Sequence, residues 1–277
     1  ETGHASLLRE SVNTAERVGR HSFLGVKPRD ILRTGPGLPC EGDPLRHLEE
    51  RMQPYDYVPV PELASVFTGG AVGYMAFDCI QHFEPKTKRA LRDPLGIPEC
   101  VMLLCDDVVI FDHVFQTVYC VSHVYVASEH DDIDALYAAC VARVEALVRT
   151  ISQDATPLPA QPPIDATPRE PQSNVGQEGY ERFVTQLRQH ILHGEIFQAV
   201  PSQRLSYPTQ LHPFNCYRHL RRINPSPYMF YVDCGDAQLV GASPETLCQI
   251  VQGKVAVHAI AGPVRRGAPA RGDDALG

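Results

Sequence analysis

Two short groups of residues have types and spacings that could support chemistry. Residues 68–73 contain three glycines, as phosphate-binding loops do, but lack the Lys-Ser/Thr pair of a Walker loop and the downstream acid of a dinucleotide fingerprint. We interpret them as a tight turn between strands. His190 and His193 could share a metal ion from one helix, yet no further ligand has a matching spacing. We therefore interpret them as part of a solvated helix face.

A serine nucleophile and several carboxylates form no complete catalytic set. Residues 241–245, GASPE, superficially resemble a nucleophile elbow, but the second glycine is missing. Pro244 also lacks the N–H that an oxyanion hole would use, which argues against a serine hydrolase. The acidic candidates, which have no spacing that pairs them for acid–base work, are Glu84, Asp106, Asp107 and Glu245.

Composition and charge exclude several classes of protein. Of the 277 residues, 43% are hydrophobic and 21% are charged, which is the balance of an ordinary globular protein. The net charge of −8 supplies no basic surface for a phosphate backbone, so we expect no nucleic-acid partner. The longest stretch free of Asp, Glu, Lys, Arg and His, residues 63–77, is too short to cross a bilayer as a helix, and we expect no membrane association.

The cysteines indicate a reducing environment. There are nine of them, an odd number, with no C-x-x-C pair and no histidine at zinc-finger spacing. Most lie in apolar runs, where cysteine behaves as a small hydrophobic residue. We interpret them as reduced thiols and expect a cytoplasmic protein.

Hydrophobic periodicity predicts the elements that position these groups. Residues 132–151 carry one apolar stripe and form an amphipathic helix, which Asp131 or Asp132 can cap. The preceding residues 100–127 predict two antiparallel strands broken at Asp112. A strand hairpin followed by a helix suggests a sheet covered on one face.

The second part of the chain mixes helices with strands. A helix containing Tyr180 should end at Gly194, which can adopt a left-handed cap. A strand over residues 196–205 and a helix opened by Pro213 should follow. From Tyr228 to residue 260 the pattern predicts an antiparallel meander.

This order predicts an α+β fold, because strands and helices do not alternate as in a doubly wound parallel sheet. We expect a layered sandwich of large antiparallel or mixed sheets, flanked by helices and incomplete at the C-terminus. The proline-rich residues 152–172 predict a linker between an N-terminal region, residues 1–151, and a second domain that begins at residue 173 and is truncated at 277.

Seven motifs resemble the large subunit of anthranilate synthase in the chorismate-binding enzyme family, and they span almost the whole chain. In the second half these motifs are GEIFQAVPSQR at 194–204, NPSPYMF at 224–230, GASPE at 241–245 and HAIAGPVRRG at 258–267. In the first half they are LLRES at 7–11, GRHSFLG at 19–25 and GGAVGYMAFD at 69–78.

The resemblance implies a lyase that joins ammonia to chorismate and eliminates pyruvate to give anthranilate, the first committed step of tryptophan synthesis. It implies Mg2+ as cofactor and a glutamine amidotransferase subunit as the source of ammonia. It also implies feedback inhibition by L-tryptophan, bound in the N-terminal region 1–151, while the region from residue 173 begins the chorismate-binding catalytic domain.

Two positions distinguish the chemistry implied by the resemblance. Related isochorismate and salicylate synthases carry a lysine at the position of Gln198 to activate water, and glutamine cannot take a proton. Related aminodeoxychorismate synthases commonly carry a nucleophilic lysine at the position of Ala261. With both lysines absent, external ammonia is the expected nucleophile.

The resemblance also implies binding residues. The L-tryptophan pocket maps onto Ser11 and onto Pro227, Tyr228 and Met229, where a hydroxyl could bind the ligand's polar groups and the apolar side chains could contact an indole. Without the resemblance, the last three residues would be read as the start of a core strand. Arg9 replaces a leucine of the motif, and we expect a buried cation there to weaken inhibition.

For chorismate, the resemblance implies contacts at Gly262 and Pro263. Pro263 stands where the family has a threonine and Ala259 where it has a proline, so we expect weaker substrate binding. The family's Mg2+-binding glutamates and catalytic histidine would follow Gly277. We therefore expect no catalytic or metal-binding residue in this chain and no activity from it alone.

Three hypotheses remain open at this point. The first is a fragment of the anthranilate synthase large subunit. The second is a non-catalytic L-tryptophan-binding module that ends naturally near Gly277. The third is a diverged relative that acts on chorismate in another way.

Overall fold

The computed structural model describes residues 6–10, 20–64, 66–153, 157–162, 170–251 and 253–257. The strands are β1 (Ser6–Glu10), β2 (His21–Val26), β3 (Asp30–Thr34), β4 (Gly70–Met75), β5 (Cys100–Cys105), β6 (Asp107–Asp112), β7 (Thr117–Ser122), β8 (Gln172–Ser173), β9 (Leu205–Ser206), β10 (Tyr228–Asp233), β11 (Gln238–Ser243), β12 (Gln249–Val251) and β13 (Lys254–Ala256). The α-helices are α1 (Pro44–Met52), α2 (Ile80–Phe83), α3 (Ile133–Ser152), α4 (Gly176–Leu192) and α5 (Pro213–Ile223). Short 3-10 turns cover Pro61–Leu63, Phe77–Cys79 and Pro85–Thr87.

Two antiparallel sheets form a sandwich. The larger sheet has the strand order β11-β10-β1-β2-β6-β7, and the smaller has the order β3-β5-β4. Apolar side chains between them form the core: Leu7, Phe23, Val108, Ile110 and Val232 from the larger sheet, and Val101, Leu103 and Cys105 from the smaller. We call the side of the larger sheet that carries this core its inner face, and the opposite side its outer face.

Close approach of the two sheets depends on glycine. A Cβ added at Gly25 would lie 2.9 Å from the sulfur of Cys105 on the facing sheet. Within the smaller sheet, a Cβ added at Gly73 would lie 1.8 Å from the carbonyl oxygen of Val101. The motif at residues 69–78 therefore needs a glycine at position 73, where β4 packs against the backbone of β5. The strand β4 occupies most of this motif. The predicted tight turn at residues 68–73 was wrong, since a strand begins at Gly70.

The helix α3 packs against the outer face and confirms the predicted amphipathic helix. Asp132 is its N-cap and accepts the N–H of Ala135 at 3.0 Å. Arg143 binds the outer-face side chains of Ser122 and Asp107 at 2.9 and 3.3 Å. One face of the sheet is thus covered by helix, as the sequence predicted.

The chain divides into two compact units: residues 157–215 form one, and residues 1–156 together with 216–277 form the other. In the smaller unit α4 ends as predicted, because Gly194 has φ +76° and the N–H groups of Gly194 and Glu195 bond back to Ile191 and His190. In the larger unit β10 and β11 join the sheet built by β1, β2, β6 and β7. The functional division predicted at residues 151 and 173 stays a prediction.

Two predicted strand patterns differ from the structure. Residues 100–127 contain three strands, because the chain changes sheets at Asp106 between β5 and β6. Of residues 196–205, only Leu205 is in a strand; Pro201 offers no N–H, and Phe197 is 98% exposed. The α+β class and the antiparallel sheets are confirmed. Among the described residues, none of the helices is long and apolar enough to span a membrane.

Candidate functional site

The end of β1 lies beside the start of β10, and this pairing brings together two of the predicted binding segments. Glu10 is the register partner of Met229, and Arg9 is the partner of Phe230. Ser11 lies outside the described residues, as do Ala259, Ala261, Gly262 and Pro263. The predicted chorismate contacts therefore stay predictions, and the geometry below concerns the L-tryptophan segment.

The strand pleat sends Tyr228 and Met229 to opposite faces of the sheet. Tyr228 shares the inner face with Arg9, whereas Met229 shares the outer face with Glu10. Met229 is fully buried, and Tyr228 and Pro227 are half-buried. The two side chains that were predicted to contact one indole therefore do not form a common wall.

Arg9 is exposed, which contradicts the expected burial of its charge. Its guanidinium carbon lies 5.9 Å from the ring centroid of Phe23 and 5.8 Å from that of Tyr228. Both rings are within the range of a cation–π contact. The long side chain extends along the inner face to solvent. The guanidinium therefore keeps its hydration, and its charge carries no desolvation cost.

Glu10 is held on the outer face by helix α5. The hydroxyl of Tyr217 donates to one carboxylate oxygen, and Nε of Arg221 donates to the other at 2.8 Å. Tyr217 is 1% exposed, and its pKa is raised by burial and by this hydrogen bond to Glu10. The pair fixes the carboxylate that immediately precedes Ser11 in the chain.

Tyr217 and Arg221 were missed in the sequence. Their helix was predicted from Pro213, and their four-residue spacing puts both on one helix face. Nothing local, however, indicates that Glu10, 207 and 211 positions away, is the partner. Only the pairing of β1 with β10 brings them together.

The GASPE motif has a packing role at its first residue. Gly241 is the register partner of Phe230, and a Cβ added there would lie 2.1 Å from the ring of that residue. The absent side chain therefore leaves room for the ring on the inner face. In the described residues the side chain of Ser243 bonds only within its own turn, with its hydroxyl donating to the carbonyl of Glu245 at 3.1 Å.

Arg20 of the GRHSFLG motif forms an ion pair with the buried carboxylate of Asp112, which stabilises the predicted break after β6. Asp112 is 2% exposed and accepts bonds from Arg20 at 2.7 and 3.0 Å. Its other oxygen accepts the N–H groups of Val114 and Phe115 at 3.0 and 3.1 Å. The Arg20 hydrogen bond is the main reason that the pKa of Asp112 lies well below its usual range. Burial lowers the pKa of the neighbouring His21.

Metal ligands are not clustered in the described part of the chain. No three His, Cys, Asp or Glu side chains there could together hold a metal ion. His190 and His193 are exposed beside Glu195, with nitrogen–oxygen distances of 2.6 and 3.9 Å. The described residues thus do not fit an Mg2+ site, and we assign no step to the metal. Gln198 is exposed in the loop after α4.

Comparison with known proteins places this architecture in a family. The model of the chorismate binding enzyme family matches residues 7–277. Anthranilate synthase component 1 of Saccharomyces cerevisiae is 45% identical over 275 residues, which cover 98% of this chain and 54% of that protein. The probable anthranilate synthase component 1 of Schizosaccharomyces pombe is 45% identical over 270 residues, with the same coverage.

A solved structure agrees with these similarities. The crystal structure of anthranilate synthase component I from Streptococcus pneumoniae TIGR4 matches with a TM-score of 0.67 and 26% identity, over 88% of this chain and 54% of that chain. The chain spans about half the length of the curated relatives it matches. With the family model matched over nearly every residue, this chain belongs to the chorismate-binding enzymes.

Proposed function

We propose that this chain provides the N-terminal part of an anthranilate synthase component 1. The whole enzyme would act as a lyase that converts chorismate and ammonia into anthranilate and pyruvate, in the cytoplasm. The observation that carries the proposal is the 45% identity to the Saccharomyces cerevisiae relative over 98% of this chain. The likeness to the Streptococcus pneumoniae fold supports it independently of close sequence identity.

The side chains at two positions favour ammonia as the nucleophile. Gln198 has a neutral amide and cannot act as a base, and Ala261 has no nucleophilic group. We infer that ammonia comes from a glutamine amidotransferase subunit. We propose that the whole enzyme uses Mg2+ and holds it with residues other than the described ones.

We further propose that L-tryptophan regulates the enzyme at the junction of β1 and β10. Ser11 follows Glu10 directly in the chain, and Glu10 is paired with Met229. In this arrangement the backbone of residues 227–229 and the ring of Tyr228 would contact the ligand, while Met229 supports the strand from the buried face. Residues 1–151 would be the regulatory region, residues 152–172 the linker and residues 173–277 the start of the catalytic region, with Gly262 and Pro263 at chorismate.

A chimera tests the proposed reaction. This chain would replace the matching segment of the Saccharomyces cerevisiae relative, and the chimera would receive chorismate, ammonia and Mg2+. We expect anthranilate fluorescence from the chimera and none from the 277-residue chain alone. Because a threonine restores a hydroxyl and an N–H, Pro263→Thr should lower the KM for chorismate. A folded chimera that forms isochorismate or aminodeoxychorismate, or no product, would contradict the proposal.

A further inference from the structure

The helix α3 carries a row of large apolar side chains that does not face the sheet. The sheet-facing side of the helix contains Cys140, whose thiol donates to the carbonyl of Ser122 at 3.3 Å, and Arg143, which binds the side chains of Ser122 and Asp107. Beside it lies a second row, which we call the exposed stripe. Its members are Ile133 (52% exposed), Tyr137 (66%), Val141 (37%), the half-buried Val144, Val148 (44%) and Ile151 (41%).

The spacing of the exposed stripe is that of a helix–helix contact. Its members follow one another at intervals of three or four residues along a helix about 30 Å long, as the core positions of a coiled coil do. A contiguous apolar surface that stays exposed in a folded chain is typical of an interaction site. The partner that this spacing fits is another amphipathic helix.

The exposed stripe is complementary to itself in the antiparallel direction. A twofold axis near residues 142 and 143 would place a second copy of α3 in this orientation. The pairs formed between the copies are Ile133 with Ile151, Tyr137 with Val148, and Val141 with Val144. Each pair occurs twice in such an interface, since a twofold axis gives both copies the same contacts. No polar side chain interrupts the paired positions.

The charges beside the stripe are complementary in the same alignment. Asp134 lies in the first turn of α3 and Arg149 in the last, on the same flank of the exposed stripe. The antiparallel alignment brings Asp134 of one copy close to Arg149 of the other, whereas a parallel alignment would bring like charges together. Arg149 already pairs with Glu145 at 3.5 Å on the surface, and its guanidinium has enough donors to serve a second carboxylate.

We propose that α3 is a homodimer interface, in which a second copy of this chain packs its own α3 antiparallel against the exposed stripe. Each copy contributes a strip about 30 Å long and about 10 Å wide, which gives a contact of roughly 600 Å² for the two copies together. Stable complexes bury about 1,200 Å² or more. The dimer should therefore be reversible, with a Kd of the order of tens of micromolar.

Sedimentation velocity of the 277-residue chain, at concentrations that bracket this Kd, tests the inference. Val141→Arg puts like charges from the two copies close to the twofold axis and should raise the dimer Kd about tenfold or more. Ala142→Arg is the matched control, because Ala142 is exposed on the same helix but lies off the stripe. It should leave the Kd unchanged. The Tm of each variant verifies that the fold is kept.

A charge exchange tests the antiparallel orientation. Asp134→Arg and Arg149→Asp each replace an attraction between the copies by a repulsion, so each should weaken the dimer about threefold or more. The double variant restores opposite charges across the interface and should regain most of this loss. Two independent losses that add in the double variant would contradict the antiparallel pairing.

The chimera described above extends the test to the whole enzyme, which should dimerise with the same sensitivity to Val141→Arg. Three results would overturn the inference. The first is a 277-residue chain that stays monomeric over the whole concentration range. The second is a dimer that Val141→Arg and Ala142→Arg affect equally, which would place the contact on another surface.

The third contradictory result is a monomeric chimera, which would show that the rest of the enzyme or the amidotransferase subunit covers the exposed stripe. Loss of only glutamine-dependent activity in the Val141→Arg chimera would then identify the amidotransferase subunit as the occupant. None of these results decides the proposed reaction, because anthranilate formation from ammonia by the chimera is measured separately.

Discussion

The hydroxyl of Tyr217 donates a hydrogen bond to the carboxylate of Glu10, although 207 positions separate the two residues. This contact attaches α5 to the last residue of β1. The helix in turn leads directly into the NPSPYMF segment. One buried hydrogen bond therefore ties together the two segments that form the candidate regulatory site.

Tyr217→Phe should destabilise the larger compact unit. The substitution keeps the ring but leaves a mostly buried carboxylate oxygen without its donor, which typically costs about 1–3 kcal/mol. Urea unfolding followed by circular dichroism measures the loss. Tyr137→Phe on α3 is the matched control, because Tyr137 is 66% exposed, and it should change stability by less than about 0.5 kcal/mol. Equal stability of the two variants would contradict the importance of the bond.

Asp112 should make stability depend on pH in the acid range. Its pKa is lower in the folded chain, so ionised Asp112 stabilises the fold fully above the ordinary pKa of about 4. That stabilisation is lost as pH falls further, because the unfolded chain then binds a proton that the folded chain does not. Asp112→Asn should reduce the slope of unfolding free energy against pH by up to about one proton. The control is Asp56→Asn, at an exposed aspartate, which should leave the slope of unfolding free energy against pH unchanged. If the two variants have the same slope, Asp112 is not the source of the pH dependence.

Gly73→Ala should be strongly destabilising. The added Cβ would lie 1.8 Å from the backbone oxygen of Val101. Val101 is in β5, the central strand of its sheet, so moving its backbone would disrupt hydrogen bonds to both neighbouring strands. We expect a loss of about 3 kcal/mol or more, or failure to fold. Gly179→Ala on α4 is the matched control, because its nearest neighbour would be 3.4 Å away. There, alanine should be neutral or stabilising by up to about 1 kcal/mol. Thermal unfolding compares the two; a Gly73→Ala chain as stable as the control would contradict the packing argument.

Buried thiols should resist alkylation in the native chain. Burial raises the pKa of Cys100 to about 12 and that of Cys105 to about 11, so little reactive thiolate forms at neutral pH. Cys248 is exposed and should react first with iodoacetamide. Peptide mass spectrometry follows the order of labelling, with the urea-unfolded chain as the control. Labelling of Cys100 or Cys105 as fast as Cys248 under native conditions would show that these strands open.

Features set by neighbours along the chain could be predicted from the sequence. Asp132 caps α3 and Gly194 ends α4, because a cap needs only the residues of its own turn. The antiparallel α+β class also follows from the order of local patterns.

Features set by distant partners could not be predicted. The switch between sheets at Asp106 depends on β2 and β3, which pair with β6 and β5 respectively. The exposure of Arg9 depends on two rings from other strands. At the candidate site, the motif identified the segments, but only the strand register assigns Tyr228 and Met229 to different faces.

The pairing of β1 with β10 also bears on how the chain is made. A ribosome synthesises β1 more than 200 residues before the strand that completes its pairing, an interval of roughly 10–40 s at typical translation rates. During that time β1, β2, β6 and β7 can assemble, but one edge of β1 remains open to other nascent chains. The nascent protein should therefore depend on chaperone protection until residue 233 has left the exit tunnel.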